Sequence, residues 1–346
     1  MEESLEGYGE LVEESVKEYL ERFKRESSEY HSFVGECYSD LEEFVLRKGK
    51  RIASCSTLLV YRGYADGTGE DILTACAGIE LYRHAILIHD DMVDMDVQRR
   101  GGKTLHRNYS EDRDGRFGRG TATFLGNIAF SLAEKAIENS GFSEEKKATV
   151  LSLVFDHYRE VNESQILDLL FEYKDVDVAE WRTMASKRAA SLFKLTLLSG
   201  AVLGGAPEKD LETLEEAGEN IGYSFDIQDD IIDTFAEEDQ YGRKPCRDIG
   251  LGKKPLHVIQ ALNRGSTQKA EELREFLGKD ELSSGEMERI RELIKEAGGL
   301  ESAKETSRSH AEKGKKLIRQ TTMDDESKDL LNSTIDYVVE SLEWYK

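Results

Sequence analysis

Proline is scarce in this chain, with three among 346 residues. Long stretches instead carry apolar residues at helical spacing, so the chain reads as all-α. It also lacks any apolar run of about 18 residues, the length a membrane-spanning helix needs. No signal-peptide pattern opens it, and the expectation is a soluble, cytoplasmic protein. Cysteine is sparse: Cys37, Cys55, Cys76 and Cys246 have no metal-ligand spacing and read as buried thiols in a reducing compartment. Positive charge is outweighed. At a formal net charge of −23 the chain has no basic stripe of the kind a phosphate backbone demands, which excludes nucleic acid as a partner.

What is present is acid in a pattern. Ala85 to Ile88 lead as an apolar helical run into His89-Asp90-Asp91-Met92-Val93-Asp94, with Arg99 and Arg100 just beyond. Asp90 and Asp94 share a helix face and would repel one another in a low dielectric, so a cation belongs among them. Aspartate oxygens are hard ligands that suit Mg²⁺, which binds through one or two carboxylates plus substrate phosphates. The two arginines offer forked donors for phosphate oxygens. A solvated acidic patch is the alternative. Against it stands a second copy, Asp229-Asp230-Ile231-Ile232-Asp233, behind the apolar run Ile221 to Ile227. Composition alone gives on the order of 0.1 Asp-Asp-x-x-Asp matches in such a chain, so two in matching settings point to metal-bound diphosphate. The motifs read as halves of one site, and residues 1–346 therefore as a single domain, although length alone would suggest two or three.

Taken in order, residues 1–25 form an amphipathic helix and 39–46 begin another. The basic cluster Arg47 to Arg51 precedes an apolar segment, Ile52 to Val60, and has room to bind an anion. A long helix from about residue 71 delivers the first motif, with Gly101-Gly102 as its stop. Residues 107–119, polar and dotted with glycine, read as a loop. Helices follow at 120–139, at 144–173 with Gln165 and Asp168, and at 178–203 with Lys187. That lysine either snorkels to the surface or reaches a buried anion. Helix 209–235 delivers the second motif. Residues 236–256 form a loop broken by glycine and proline, a basic flap with Arg243, Lys244, Lys253 and Lys254. Polar helices occupy 270–276, 284–297, 301–320 and 325–344.

With both motifs in place the chain resembles the trans-isoprenyl diphosphate synthases, the farnesyl and geranylgeranyl diphosphate synthase family of polyprenyl synthetases. The likeness covers nearly the whole chain. It rests on Gly49-Lys50-Arg51, the first motif with Arg99-Arg100-Gly101, Lys103-Thr104-Leu105-His106, Gln165 with Asp168-Leu169, Lys187, Phe225 with the second motif, Asp248 and Gly252-Lys253. It implies an isoprenoid-synthase-type bundle of long helices around a deep central cavity, with the motifs facing each other at its mouth, in a homodimer. It implies head-to-tail joining of an allylic diphosphate to isopentenyl diphosphate, with loss of pyrophosphate. Asp90, Asp91, Asp94, Asp229, Asp230 and Asp233 match the Mg²⁺ ligands, three ions being held together with the bound diphosphate. Arg99, Lys187 and Lys253 match allylic-diphosphate contacts, and Lys50 and Arg100 match isopentenyl-diphosphate contacts. Arg51, Arg83, His84, Gln165, Asp226 and Arg243 complete the candidate substrate-binding set. The residues before the first motif set product length in this family. Ala85 is small, Ile86 is medium, and neither is an aromatic plug, so products longer than C15 are implied, C20 first; Tyr82, one turn deeper, is a candidate stopper.

The chain also departs from the pattern. Ala53 stands where the family has a second basic residue, and Arg83, beside His84, stands for a histidine; both positions belong to the isopentenyl-diphosphate site. Arg83 or Arg51 would restore the charge. Asn127 replaces an aspartate, Arg188 a threonine, Asp226 a glutamine, Arg243 a lysine, and Pro255 and His257 a threonine and a proline. The alternative activity on the same fold is cyclisation of the allylic diphosphate, or prenyl transfer to an acceptor other than isopentenyl diphosphate. A non-catalytic regulatory subunit would be expected to lose motif aspartates, and both motifs are complete.

Overall fold

The computed structural model describes residues 2–47, 49–237, 244–279 and 281–339, with the backbone alone at 2–6 and 112. The all-α expectation holds. Among the described residues the extended pairing is one short hairpin, Gln98–Arg99 (β1) against Gly102–Lys103 (β2). No helix there is long and apolar enough to cross a membrane. The chain divides into two compact units, one of Met1–Val154, Thr196–Leu211 and Thr322–Leu331, the other of Phe155–Leu195, Glu212–Thr321 and Asn332–Lys346.

In the first unit α1 (Glu2–Tyr30), α2 (Ser32–Leu46), α3 (Ile52–Arg62), α5 (Leu105–Asp112) and α6 (Gly115–Asn139) gather around α4 (Glu70–Val93). α4 is apolar nearly all round, as a central helix must be: Ile72, Ile79, Leu81, Tyr82, Ala85 and Ile88 are all buried. Each large side chain among them contributes roughly 1.5–3 kcal/mol. It packs tightly on α6 at Gly78, where a Cβ would lie 2.8 Å from the carbonyl oxygen of Ala133. Residues 107–119 are not the expected loop but the end of α5 and the start of α6. The glycines there serve packing. A Cβ on Gly118 would sit 2.3 Å from the His106 carbonyl oxygen, and Asp114 caps α6 by accepting the Phe117 N–H at 2.8 Å.

The second unit takes in the later part of α7 (Glu144–Glu172), α8 (Val178–Ala185), the start of α9 (Ala189–Gly204) and most of α10 (Glu208–Phe235). It continues through α11 (Arg247–Leu251), α12 (Leu256–Arg264), α13 (Thr267–Arg274), α14 (Ser284–Glu296) and α15 (Gly299–Gln320), and ends with part of α16 (Asp325–Val339). Trp181, Tyr223, Ile227, Ile231, Ile249, Ile259, Ile290 and Ile294 form its core. Two departures from the sequence reading bear on function. The helix expected over 178–203 breaks at Ser186–Arg188, and the loop expected over 236–256 contains α11.

Candidate active site

In the first unit Asp90, Asp91 and Asp94 lie at the C-terminal end of α4. The helix dipole is negative there, so three carboxylates at that end need a cation more than their mutual repulsion alone requires. Arg99 supplies one. Its Nε donates to Asp91 in a short contact, and its Nη2 lies 3.4 Å from Asp90 and 3.8 Å from Asp96. The β1–β2 hairpin aims it. Arg100 (φ 52°) and Gly101 (φ 77°) are the two central residues of the turn, and two positive φ values suit the twist of a tight hairpin. Burial, offset only in part by Arg99, pushes the Asp91 carboxyl up to about 7.

The same hairpin gathers positive charge. Arg100 Nη1 lies 3.4 Å from His84 Nε2, and its guanidinium passes so close to Gly49 that a Cβ there would be 2.8 Å from Cζ. Burial and then the charge of Arg83 pull Arg100 down to about 10. His84 is neutral: its Nδ1–H donates to the Glu80 carbonyl at 2.8 Å, and burial holds its pKa at about 3. The ring therefore offers Nε2 as acceptor to Arg100. Lys50 is exposed and Arg83 half-buried. Arg51 is turned away from this group into the core, where it donates to the Val45 carbonyl at 2.7 Å and to Glu80 Oε1 at 2.9 Å. Ala53 is buried as well. Of the two arginines expected to restore the lost charge, Arg51 is thus committed to the core. Tyr82 and Ala85 are fully buried and Ile86 half-buried; the Tyr82 ring packs 6.2 Å from that of Phe130.

In the second unit Asp226, Asp229, Asp230 and Asp233 fall at i, i+3, i+4 and i+7 near the end of α10, one continuous face. Ile227 and Ile231 bind the opposite side into the core. Gly222 lets α10 close on the start of α9, for a Cβ there would be 2.3 Å from Ala190 Cα. That contact brings Asp226, one turn on, beside the Ser186–Arg188 turn. Arg188 meets it: Nε to Asp226 is 2.7 Å, Nη2 to Asp230 is 2.8 Å and Nη1 to Asp168 is 3.8 Å. Lys253 Nζ lies 2.9 Å from Asp168 and 3.9 Å from Asp248, placed by Gly252, whose φ of 93° ends α11. Lys187 instead faces Glu163. Burial pushes Asp226 up to about 6 and Asp230 well above the carboxylate range, with Arg188 opposing. Asp229 is exposed. Asp233 is buried and accepts the Asp248 N–H at 3.2 Å, so it also anchors the segment that carries Lys253. Arg291 closes the helix end by donating to the carbonyls of Thr234 (2.8 Å) and Ala236 (2.9 Å). Gln165 is half-buried; Arg243 lies outside the described residues.

The donor sets suit magnesium. Asp91 Oδ2 and Asp230 Oδ2 are buried oxygens without a hydrogen-bond partner among the described residues, and a buried anionic oxygen left so is costly. No three acidic, histidine or cysteine side chains there converge as a closed cage. Mg²⁺ does not ask for one, since it takes one or two carboxylates and completes its octahedron with water and phosphate oxygens.

Each unit thus presents a helix whose end carries an aspartate motif with an arginine laid against it. The polyprenyl synthetase family model matches residues 35–294. A short chain isoprenyl diphosphate synthase of Methanocaldococcus jannaschii is 31% identical over 280 residues, covering 81% of this chain and 82% of that protein. One of the same name from Methanothermobacter thermautotrophicus is 29% identical, covering 97% of both. Among solved structures, geranylgeranyl pyrophosphate synthase from Corynebacterium glutamicum, complexed with isoprenyl diphosphate and magnesium, superposes with a TM-score of 0.92 at 25% identity, covering 97% of this chain and 99% of that one. The chain belongs to the polyprenyl synthetase family and is a prenyltransferase.

Proposed function

We propose that this prenyltransferase condenses an allylic diphosphate with isopentenyl diphosphate to a longer prenyl diphosphate, C20 first, acting as one catalytic domain over 1–346. The buried, unpartnered oxygens of Asp91 and Asp230, each beside an arginine already bound to its motif, carry this reading. Asp90, Asp91, Asp94, Asp229, Asp230 and Asp233 would hold Mg²⁺, three ions in all, which when bound supply charge neutralisation at the leaving diphosphate. Arg99 and Lys253 add fixed positive charge where negative charge develops, and Lys187 would join them on leaving Glu163. Lys50, Arg83 and Arg100 form the cationic set for isopentenyl diphosphate, with neutral His84 orienting Arg100. No protein nucleophile is required, because the isopentenyl double bond attacks the allylic cation. The departing pyrophosphate would take the final proton.

Small Ala85 above Tyr82 supports a product longer than C15. Relatives named geranylgeranyl and geranylfarnesyl diphosphate synthase support the C20 to C25 range. A homodimer is supported by an apolar stripe on α7, Ile166, Leu169 and Leu170, spaced to share one helix face, with Tyr173 just beyond the helix end, all exposed. A cytoplasmic location accords with the diphosphate substrates. Pyrophosphate release from allylic diphosphates is the direct test. It should require Mg²⁺ and isopentenyl diphosphate, and Asp229→Ala should abolish it. Release that ignores isopentenyl diphosphate would favour cyclisation or another acceptor, a reading that the burial of Ala53 and Arg51 keeps in view.

A further inference from the structure

Arg188 is engaged by the second motif, although it lies in a turn between two helices and not in the motif's own segment. Its three guanidinium nitrogens reach three different carboxylates, those of Asp226, Asp230 and Asp168. The residues it joins are 38 and 42 positions away along α10. Asp226 and Asp230 are 5% and 6% exposed, so this charge is held where water screens it poorly. One oxygen of Asp230 is occupied by Arg188, while the other, Oδ2, is buried without a hydrogen-bond partner among the described residues. The neighbouring Asp229 faces solvent. The motif thus presents one committed carboxylate edge and one open edge.

We propose that Arg188 is a positioning residue for the metal site of the second motif, a standing counter-cation that makes divalent binding there depend on diphosphate. This rests on the function proposed above. With Arg188 in place, part of the charge of Asp226 and Asp230 is already neutralised, and a divalent ion arriving alone meets a weak site. An incoming diphosphate restores negative charge and supplies the remaining oxygens, and the ion then binds tightly. Asp226 is the anchor, because its bond to Nε fixes the guanidinium plane and leaves Nη2 aimed at Asp230. Metal and diphosphate are therefore taken up together, and Asp229 with Asp230 Oδ2 forms the entry edge.

The test is calorimetric titration of the whole protein with Mn²⁺ in an Asp90→Asn/Asp94→Asn background, which leaves the second motif to report, with and without inorganic pyrophosphate. The unaltered second motif should bind Mn²⁺ at least tenfold more tightly when pyrophosphate is present. Arg188→Gln should tighten binding without pyrophosphate by tenfold or more and remove most of the pyrophosphate dependence. A loosened structure would not produce that gain. Asp226→Asn, which removes a negative charge but keeps Arg188, should weaken Mn²⁺ binding severalfold and serves if the first variant does not fold. Mn²⁺ affinity unchanged or weakened in folded Arg188→Gln, or strengthened in Asp226→Asn, overturns the proposal. Absence of Mn²⁺ binding even with pyrophosphate would overturn the functional reading itself.

Discussion

Arg51 and Glu80 form an ion pair whose side chains are each 1% exposed, with Nη1 2.9 Å from Oε1. Ser54 donates to the second Glu80 oxygen at 2.7 Å, so the carboxylate is well satisfied. The pair ties the Gly49–Arg51 segment to α4 one turn below His84, and with it the wall of the cationic group. Breaking a buried pair by removing one partner costs about 3–5 kcal/mol. Glu80→Gln should therefore lower stability by that order in urea unfolding, and an unchanged midpoint would show that the pair is not structural.

Acid should act through the same place. Burial opposes the charge on Glu80, but His84, Arg51, Arg83 and the Ser54 hydrogen bond outweigh it and hold the carboxyl at about 2, below its ordinary 4.5. Its contribution, on the order of 3 kcal/mol, is complete above about 4.5 and is lost as pH falls through about 2. Buried His84, held at about 3 against 6.5, refuses a proton that the unfolded chain accepts, so it removes stability over the window from about 6.5 down to 3. Stability should decline steadily from pH 6.5 downwards. A flat profile between pH 6.5 and 4.5 would contradict the His84 assignment, and a flat profile between pH 4.5 and 2 the Glu80 one.

Gly101 has a φ of 77° and open space where a Cβ would be, so a substitution there acts through the backbone alone. Gly101→Val should cost about 1–2 kcal/mol and shift Arg99 and Arg100 together. The KM for isopentenyl diphosphate should rise, whereas Gly101→Asn, which tolerates the left-handed region, should keep near-normal kinetics. Equal kinetics for the two variants would detach the hairpin from substrate binding.

Ile166 on α7 is 68% exposed and Tyr173, just beyond its end, 84%. Ile166→Glu with Tyr173→Asp should halve the molar mass measured by light scattering. A mass unchanged from the parent protein would contradict the proposed dimer through this stripe.

Both aspartate motifs were legible because their spacing is local: i, i+1 and i+4 behind an apolar run already specify one helix face. Helical class followed from periodicity for the same reason. What joins the motifs to their cations was not legible. Arg99 reaches Asp91 only because Arg100 and Gly101 take left-handed conformations, and an arginine in that region leaves no mark in the sequence. The turn at Ser186–Arg188 interrupts a stretch whose apolar pattern runs on without a break, so Lys187, and not Arg188, drew attention. Gly118 read as a loop residue because the His106 carbonyl that requires it belongs to another helix. Arg51 read as a substrate-binding cation because its partner, Glu80, is 29 residues away.

The most direct measurement is the mass of the products formed from isopentenyl diphosphate and C5, C10 or C15 allylic diphosphates with Mg²⁺. The account predicts elongated prenyl diphosphates ending at C20 or slightly beyond, shortened by Ala85→Phe and lost in Asp90→Ala and Asp229→Ala. Hydrocarbons or alcohols of unchanged carbon number, with isopentenyl diphosphate left unconsumed, would contradict it.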